Sequence, residues 1–399
     1  MKNFMNVEIL VGDKKIHSIT NQPYNKNILN FLDDLSKNLM KLKEIENYPD
    51  ISAVAFFCRK ANLMNQKKIF FKNKEFRIGL GLIFHIAPSN VPVNFLYSLV
   101  FGLITGNSNI VKVPSFKFAQ IEIICNIINK LLKKKHKNLK KFIKVLRYEK
   151  ENINFTNFIS SECDARLIWG GDKSINEIRK FSVKPRSIDL TFADRYSICI
   201  INAGKFLKLN HIKKITLLNQ FYNDTFTLDQ NACSSPHLIL WMGNKVKKAK
   251  DVFWSHLAKI SKKKYQFIES SVVEKYTQVC KRLMQNDNIK NYKFFDNTLS
   301  TLTVKKLNKD ILSYRGRWGY FFEYDLKSLS DIKDISSKKI QTVTYYGINS
   351  QLIKNTILKL SLPGFDRIVP IGQALELDFI WDGYDLSLIH ISEPTRLGM

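Results

Sequence analysis

The sequence lacks the cysteine spacings of metal and disulfide modules. Its six cysteines form no CxxC or CxxH group, which argues against a zinc site and a disulfide scaffold. We therefore expect no bound metal and a reducing, cytoplasmic environment. The N-terminus has no long apolar run, so no signal peptide is predicted. GxGxxG and P-loop motifs are also missing, which leaves phosphate binding without its most familiar signatures.

Acidic side chains are scarce. The chain has 35 Asp and Glu against 63 Lys and Arg, a formal charge of +28. This excess raises the hypothesis of a nucleic-acid-binding protein. The lysines are scattered apart from clusters at 133–141 and 262–264, and no nucleic-acid-binding motif is present. The pattern favours a solvated basic surface that attracts anionic ligands, with no nucleic acid as partner.

The longest apolar stretch, residues 79–106, is interrupted near its middle by Pro88 and Pro92. Each remaining part is shorter than the ~20 apolar residues of a membrane span. No membrane span is therefore expected. A length of 399 residues predicts two domains or one large one.

Residues 76–150 alternate between strand and helix patterns. Strands are predicted at Phe76–Pro88, Asn109–Pro114 and Phe142–Tyr148. The helices between them are predicted to begin at the caps Asn90 and Ser115. A β-α-β-α-β series implies an α/β fold with a doubly wound parallel sheet.

Ligands of such sheets bind at the carboxyl ends of the strands. Asn90 and Lys112 lie at two of these ends. Asn90 is either a ligand-facing amide or a helix cap, and Lys112 is either a binding residue or an ordinary surface lysine. Gly170 and Gly171 separate a predicted strand from a helix, where a backbone without side chains lets a phosphate approach.

Cys233 lies in the stretch TLDQNACSSP, just before a predicted strand at His237–Met242. A thiol on such a loop is well placed to meet a substrate. The alternative is a small hydrophobic residue that packs in the core, which is the usual role of a free cysteine. The remaining cysteines have no comparable setting: Cys58, Cys125, Cys163, Cys199 and Cys280.

Residues 225–386 are predicted to form a second α/β unit. Its last part, from Gly364 to Leu386, is rich in Gly, Asp and aromatic residues, which is typical of a structured segment that lines a site. Arg367 or Asp382 contacts a ligand there, or a buried ion pair holds the segment in place.

Several of these stretches together resemble a known family. The stretch Gly79–Ser115 resembles the aldehyde dehydrogenase superfamily segment that carries a Pro-x-Asn amide and ends in a ribose-binding Lys-x-Pro-Ser. DQNACSSP resembles the nucleophile motif. With RLIWGGD, DRYS, DRIVPIGQAL and WDGYDL, the set closely resembles the Lux-type acyl-CoA reductases, which make aldehyde for bacterial luciferase. The resemblance covers roughly residues 79–386.

The resemblance implies an aldehyde-dehydrogenase-like fold. It divides the chain into a Rossmann-type NADP-binding domain at 1–224 and an α/β catalytic (thiol) domain at 225–386. It also implies NADPH-dependent reduction of a long-chain acyl-CoA, or another acyl thioester, to a fatty aldehyde. An acyl-protein synthetase and an acyl transferase are the implied partners, and a homo-oligomer is expected.

The resemblance also assigns roles to residues. Cys233 is the implied nucleophile, and Asn90 is an implied donor to the oxyanion. Lys112 and Ser115 are implied ligands of the adenosine ribose or the 2′-phosphate. Gly170 and Gly171 are the implied residues of the turn that binds the pyrophosphate.

An aldehyde dehydrogenase that works in the oxidising direction is the alternative enzyme. It needs a base to hydrolyse its acyl-enzyme, usually a Glu in a Glu-Leu-Gly-Gly segment. The corresponding region, SIDLTFADRYS, has no Glu, and Asp189 is the nearest substitute, for which a structural role is favoured. Residues 387–399 do not resemble the family's end, and they are predicted to be a non-native tail.

Overall fold

The computed structural model describes residues 6–70, 77–266, 269–285, 288–386 and 390–392. The chain divides into two compact units, one with Met1–Asp194 and Asp378–Met399, the other with Arg195–Leu377. None of the described helices combines the length and the apolar composition that a membrane-spanning helix requires.

The first unit is built on a mainly parallel sheet. The strands of this unit are β1 (Glu8–Val11), β2 (Arg77–Gly79), β3 (Leu82–Ile86), β4 (Ser108–Val113), β5 (Ile143–Arg147), β6 (Ala165–Trp169) and β7 (Ile188–Phe192), followed late in the chain by β15 (Ile380–Trp381), β16 (Tyr384–Asp385) and β17 (His390–Ser392). Six of them form a sheet in the order β1-β5-β4-β3-β6-β7, in which only β1 is antiparallel.

Helices cover this sheet. They are α1 (Lys26–Met40), α2 (Pro49–Phe57), α3 (Lys60–Phe70), α4 (Asn94–Ile104), α5 (Ala119–Lys133), α6 (Ile153–Glu162) and α7 (Asp172–Arg179). Every residue of β5 and β6 is buried, as expected for parallel strands with helices on both faces. The apolar runs of the sequence therefore predict these central strands correctly.

The predicted strand Phe76–Pro88 is two strands. Gly81, between β2 and β3, has a φ of +142°, which only glycine adopts readily, so the chain turns there. Phe76 lies outside the described residues. β2 pairs with β17, so His390–Ser392 of the predicted tail forms backbone hydrogen bonds to Arg77–Gly79. Residues 387–389 and 393–399 lie outside the described part.

The second unit contains another mainly parallel sheet. Its strands are β8 (Tyr196–Asn202), β9 (Pro236–Met242), β10 (Ile289–Asp296), β11 (Leu299–Val304), β12 (Tyr320–Asp325), β13 (Ile340–Tyr346) and β14 (Arg367–Pro370). Its helices are α8 (Ala203–Leu207), α9 (His211–Phe226), α10 (Val246–Lys264), α11 (Glu269–Gln285) and α12 (Ser350–Lys359). The strand order is β10-β11-β12-β9-β8-β13-β14, with only β10 antiparallel.

The compact units divide after Asp194, whereas the sequence places a boundary after residue 224. The physical reason is that β8 lies between β9 and β13 and pairs with both of them. The segment from Asp378 onward belongs to the first unit rather than the second. The assignment of a cofactor role to one unit and a thiol role to the other stays a prediction.

Candidate functional site

The first unit has a switch point at the centre of its sheet. The chain passes from β3 to β4 on one side, and β6 lies on the other side of β3. Ile86, the last residue of β3, is paired with Lys112 of β4 and with Ile168 of β6. The carboxyl ends of these three strands therefore lie side by side, where doubly wound sheets bind their ligands. The segments that follow them contain Asn90, Ser115 and Gly170–Gly171.

Asn90 lies in the loop that follows β3 and is exposed. The loop is fixed at its start, because the Ala87 N–H donates to the Lys112 carbonyl at 3.0 Å. The cap position of α4 is Val93, three residues beyond Asn90. The prediction that Asn90 caps this helix is therefore wrong, because two prolines keep residues 88–92 out of a helix.

Asn94 was missed by the sequence analysis. It is the first residue of α4, and its Oδ1 atom is buried without a hydrogen-bond partner among the described residues. Unsatisfied buried amide oxygens are rare in native structures. The signal was present, since Pro92-Val93-Asn94 repeats the Pro-x-Asn spacing of Pro88-Ser89-Asn90.

Lys112 is half-buried near the end of β4. Its Nζ lies 4.8 Å from the centroid of the Tyr148 ring, a cation–π contact. Burial lowers the pKa of Lys112, and the charges of Glu149 and Glu151 oppose that shift. Lys112 is therefore held in place rather than being an ordinary surface lysine.

Ser115 is exposed in the turn after β4. The cap of α5 is Phe118, which makes no side-chain capping bond. The prediction that Ser115 caps this helix is therefore wrong, because the chain bends at Ser115 and α5 begins only at Ala119.

Gly170 and Gly171 connect β6 to α7, and Gly171 is the cap residue of that helix. Gly171 has an ordinary extended backbone, with φ −71° and ψ 159°. A Cβ added at Gly171 would meet nothing within 4 Å, and one at Gly170 would meet only Ser174 Cβ at 3.5 Å. The fold itself does not require glycine here. An open backbone at the start of a helix fits the pyrophosphate of a dinucleotide.

A buried polar network lies beneath this end of the sheet. His85 Nε2 is 2.9 Å from Asn109 Oδ1, and His85 Nδ1 is 2.7 Å from Ser98 Oγ. Trp169 Nε1 donates to the same Ser98 oxygen at 3.1 Å. The network assigns the ring hydrogen to Nε2, because Asn109 Oδ1 can only accept. Burial lowers the pKa of His85 to about 4, so the ring is neutral.

Asp189, the nearest substitute for a hydrolytic base in the sequence, is held by an arginine. Arg166 donates from Nε and Nη2 to the two Asp189 oxygens, at 2.7 Å each. Arg166 is 1% exposed and also donates to backbone carbonyls, among them that of Ile178 at 3.0 Å. These contacts support the favoured interpretation of Asp189 as a structural carboxylate, which stays a prediction.

In the second unit, residues 227–235 connect α9 to β9. We call them the nucleophile loop, after the predicted role of Cys233. Asp229 and Gln230 have left-handed backbones, with φ values of 53° and 60°. Such conformations are uncommon outside glycine and cluster at functional sites.

Gln230 fixes the nucleophile loop to the sheet. Its side chain is 1% exposed, and Nε2 donates at 3.1 Å to the carbonyls of Pro236 and Tyr320, the first residues of β9 and β12. Ser197 of β8 donates its hydroxyl to the Cys233 carbonyl at 2.6 Å. The backbone around Cys233 is therefore tied to three neighbouring strands.

Lys275 of α11 supports the loop from a second direction. Its Nζ donates to the Trp318 carbonyl at 3.1 Å, and the Trp318 N–H donates to the Asp229 carbonyl at 3.3 Å. Burial lowers the pKa of Lys275 to about 8. This role of Lys275 is not predictable from the sequence, because lysines are numerous and its partners are backbone atoms.

The thiol of Cys233 differs from the other cysteines in its surroundings. It is half-buried on a loop. Burial raises the pKa of Cys163 to about 12 and also raises the pKa values of Cys58, Cys125 and Cys199. A raised pKa disfavours the reactive thiolate. The exposed Cys280 lies in α11, away from any loop.

Arg367 holds its own segment together. Its guanidinium donates at 2.7–2.9 Å to the carbonyls of Gln373, Ala374 and Glu376. Asp224 accepts from the N–H groups of Gly372 and Ala374, and burial raises its pKa to about 7. These bonds support the alternative in which Arg367 holds the segment in place, here through backbone carbonyls.

Asp382 is buried in the turn between β15 and β16, with a φ of 56°. Within the described ranges, no group of three or more His, Cys, Asp or Glu side chains is arranged to hold a metal ion.

Comparison with known proteins gives one family and one fold. Residues 20–388 match the sequence model of the family described as acyl-CoA reductase (LuxC). The chain is also similar to the long-chain acyl-protein thioester reductase of Photorhabdus luminescens, 25% identical over 167 residues. That match covers 41% of this chain and 32% of the relative, so the chain spans about a third of the length of the curated relative it matches.

Solved aldehyde dehydrogenases have similar structures. Aldehyde dehydrogenase 21 from Physcomitrella patens is 11% identical with a TM-score of 0.64, over 92% of this chain and 85% of that one. Lactaldehyde dehydrogenase from Escherichia coli is 12% identical with a TM-score of 0.64, over 92% and 86%. At such low identity the likeness shows the fold alone, which is that of the aldehyde dehydrogenases.

Proposed function

Because the chain belongs to the acyl-CoA reductase (LuxC) family, we propose that it reduces long-chain fatty acyl-CoA to the fatty aldehyde with NADPH, through an acyl-enzyme on Cys233. The observation that carries the proposal is the setting of this thiol. Cys233 is half-buried on a loop tied to three strands, whereas four of the other cysteines are buried with raised pKa values.

In the proposed reaction, the Cys233 thiolate attacks the acyl carbonyl carbon. The bond between that carbon and the CoA sulfur breaks, and CoA leaves as its thiolate. We assign Asn90 as a donor to the oxyanion that forms during this attack. Removing such a donor typically costs about 3–4 kcal/mol of transition-state stabilisation.

The proposed cofactor fits the first unit. Gly170 and Gly171 leave the start of α7 open for a pyrophosphate, and Lys112 and Ser115 are assigned to the adenosine ribose with its 2′-phosphate. When bound, NADPH would supply the hydride that reduces the acyl group. The acyl–sulfur bond then breaks, which releases the aldehyde and restores the Cys233 thiolate.

The state of Asp189 favours the reductive direction. A dehydrogenase must activate water to hydrolyse its acyl-enzyme, which requires a base beside the thioester. Both oxygens of Asp189 accept hydrogen bonds from Arg166, which favours a structural role for this carboxylate over that of a base. We propose that the aldehyde serves luminescence, that an acyl-protein synthetase and an acyl transferase supply the acyl group, and that the enzyme is a cytoplasmic homo-oligomer.

The test is turnover of tetradecanoyl-CoA by the purified protein with NADPH or NADH, with the aldehyde identified by mass spectrometry. We expect aldehyde with NADPH, radiolabel from the acyl group on Cys233, and neither in Cys233→Ala. Cys280→Ala is the matched control, because that thiol is exposed on a helix. Covalent label in Cys233→Ala, or no aldehyde from the native protein, would overturn the proposal.

A further inference from the structure

We propose that the groove between α9 and α10 binds the phosphate groups of the CoA part of the acyl donor. This inference rests on the proposed function for its substrate. It adds a binding site on the second unit for the part of the substrate that does not react.

The groove has its basic side chains along α10. It encloses about 350 Å³ and is lined by His211, Ile215, Asn219, His256, Lys259, Ile260, Lys263 and Lys264. None of these residues is acidic. Among the described residues, Lys259, Lys263 and Lys264 form no salt bridge; Lys264 Nζ donates at 2.7 Å to the neutral amide of Asn219. These three lysines are therefore not paired with acidic side chains of the described residues, which favours an anionic ligand.

Histidines from both helices meet at one end of the groove. The ring centroids of His211 and His256 are 6.2 Å apart. His256 Nδ1 is 2.8 Å from the Val252 carbonyl and donates to it, which leaves Nε2 for a ligand. Ile215 and Ile260 are half-buried between the cationic groups. Cationic groups around an apolar floor suit a nucleotide, which combines phosphates with a flat base.

The groove leads toward the nucleophile loop. His211 meets His256 near the start of α9, and Tyr265, directly after α10, has its ring 5.0 Å from Phe226 at the end of α9. The two helices therefore run in the same direction. Tyr265 also donates its hydroxyl to Asp229 Oδ1 at 2.6 Å, four residues before Cys233.

This course matches the order of groups in acyl-CoA. From Asn219 to Phe226, α9 advances about 10 Å toward the loop. Phosphates bound along the groove would thus lie on the helix side, and the pantetheine arm would extend past Tyr265 to place its thioester at Cys233. A free phosphate would form the same charged contacts, but it would not extend from the groove to Cys233.

The experiment compares two pairs of lysines on the same helix. The groove pair is Lys259→Ala with Lys263→Ala, and the control pair is Lys247→Ala with Lys248→Ala, about 16–24 Å closer to the start of α10. Both pairs remove two positive charges. Acylation of Cys233 is followed with tetradecanoyl-CoA and with the tetradecanoyl thioester of N-acetylcysteamine, which has no phosphate.

We expect the groove pair to raise the KM for tetradecanoyl-CoA about tenfold, with kcat unchanged, because charge-assisted contacts to phosphate are lost. Kinetics with the phosphate-free thioester should not change, and the control pair should behave as the native protein. With the tetradecanoyl thioester of 3′-dephospho-CoA as substrate, the KM values of the groove pair and the control pair should differ less. Equal losses with both substrates, or from both pairs, would overturn the inference.

Calorimetric titration with free CoA separates this inference from the proposed function. CoA should bind the native protein and the control pair alike, and bind the groove pair about tenfold more weakly. Inorganic phosphate as competitor distinguishes recognition of CoA from adventitious anion binding, since millimolar phosphate should not displace CoA fully. If the native protein binds CoA but forms no acyl-enzyme, the proposed function fails while the groove stands. If CoA binds equally to all three proteins, the groove inference is wrong.

Discussion

Arg166 and Asp189 face each other across β6 and β7, and the arginine donates to both carboxylate oxygens at 2.7 Å. The guanidinium is buried, so its charge depends on this carboxylate for compensation. The pair thus links two strands next to the switch point, and it engages the carboxylate that is the nearest substitute for a hydrolytic base.

We predict that Asp189→Asn lowers the free energy of unfolding by about 3 kcal/mol, because Arg166 is left buried without a counter-charge. The matched control is Asp251→Asn, which breaks an exposed pair with Lys293 and should cost less than about 1 kcal/mol. Denaturant unfolding measures both.

Isolated acyl-enzyme should release fatty acid into buffer equally slowly in native and Asp189→Asn protein. Rapid release that depends on Asp189 would contradict the structural role.

Asn90→Ala tests the oxyanion assignment. Since Val93, not Asn90, caps α4, the change should leave the melting temperature unaltered. If Asn90 donates to the oxyanion, its replacement by alanine should lower turnover by ~10²–10³. Ser89→Ala, at the neighbouring exposed position, is the control. A loss of turnover in Asn94→Ala instead would transfer the role to the second Pro-x-Asn.

Much of the fold could be predicted from the sequence, because its central strands are continuous apolar runs. β4, β5, β6 and β9 lie where these runs are, since both of their faces are buried. The antiparallel pair β10 and β11 was not predicted. β10 is an edge strand that mixes lysines with aromatic residues, and none of its residues is buried, so it has no apolar run.

The site was predictable to a different extent. The sequence predicts correctly that Asn90 and Ser115 follow strands. It also predicts that both are helix caps, which is wrong. Asn and Ser are favoured caps, yet here each helix begins three to four residues later. The contacts of Gln230 and Lys275 could not be predicted, because their partners are backbone carbonyls of strands distant in sequence.

Gly171→Ala tests the pyrophosphate assignment without disturbing the fold. Its backbone angles suit alanine, and a Cβ there would meet nothing within 4 Å. The melting temperature should therefore be unchanged. If a pyrophosphate approaches this backbone, the added methyl should raise the dissociation constant for NADPH by about tenfold, which is about 1.4 kcal/mol. Unchanged NADPH binding by fluorescence titration would remove Gly171 from the site.

His85 makes the stability of the first unit sensitive to acid. Burial lowers its pKa to about 4 in the folded protein, against 6.5 in the unfolded chain. The unfolded state therefore binds more protons between these values, so stability falls as pH decreases from about 6.5 to about 4. The full loss is about 3 kcal/mol. Urea unfolding across this range should show the slope in native protein.

The control for this acid slope is His85→Asn, which lacks the titrating ring. It should lose stability at neutral pH, because the bonds to Ser98 and Asn109 are broken. Its stability should then change less between pH 6.5 and 4 than that of the native protein. An equal slope in both proteins would assign the acid sensitivity to other groups.

Gln230→Asn tests whether the nucleophile loop must be fixed for acylation. Asparagine tolerates the left-handed backbone at this position, so the change shortens the side chain by one methylene without adding backbone strain. The shorter amide should lose its bonds to the carbonyls of Pro236 and Tyr320, which costs about 2 kcal/mol of stability. Gln351→Asn, on the exposed face of α12, should have no such effect.

Stability alone does not separate a structural role for Gln230 from a positioning role, so acylation is measured as well, at a temperature where both proteins are folded. A displaced Cys233 should acylate about 10-fold to 100-fold more slowly, because small errors in position cost large factors in rate. NADPH binding should stay unchanged, since the cofactor is assigned to the other unit. If stability falls while the acylation rate of Cys233 does not, Gln230 only joins β9 to β12, and the thiol is positioned by other contacts such as the Ser197 hydroxyl.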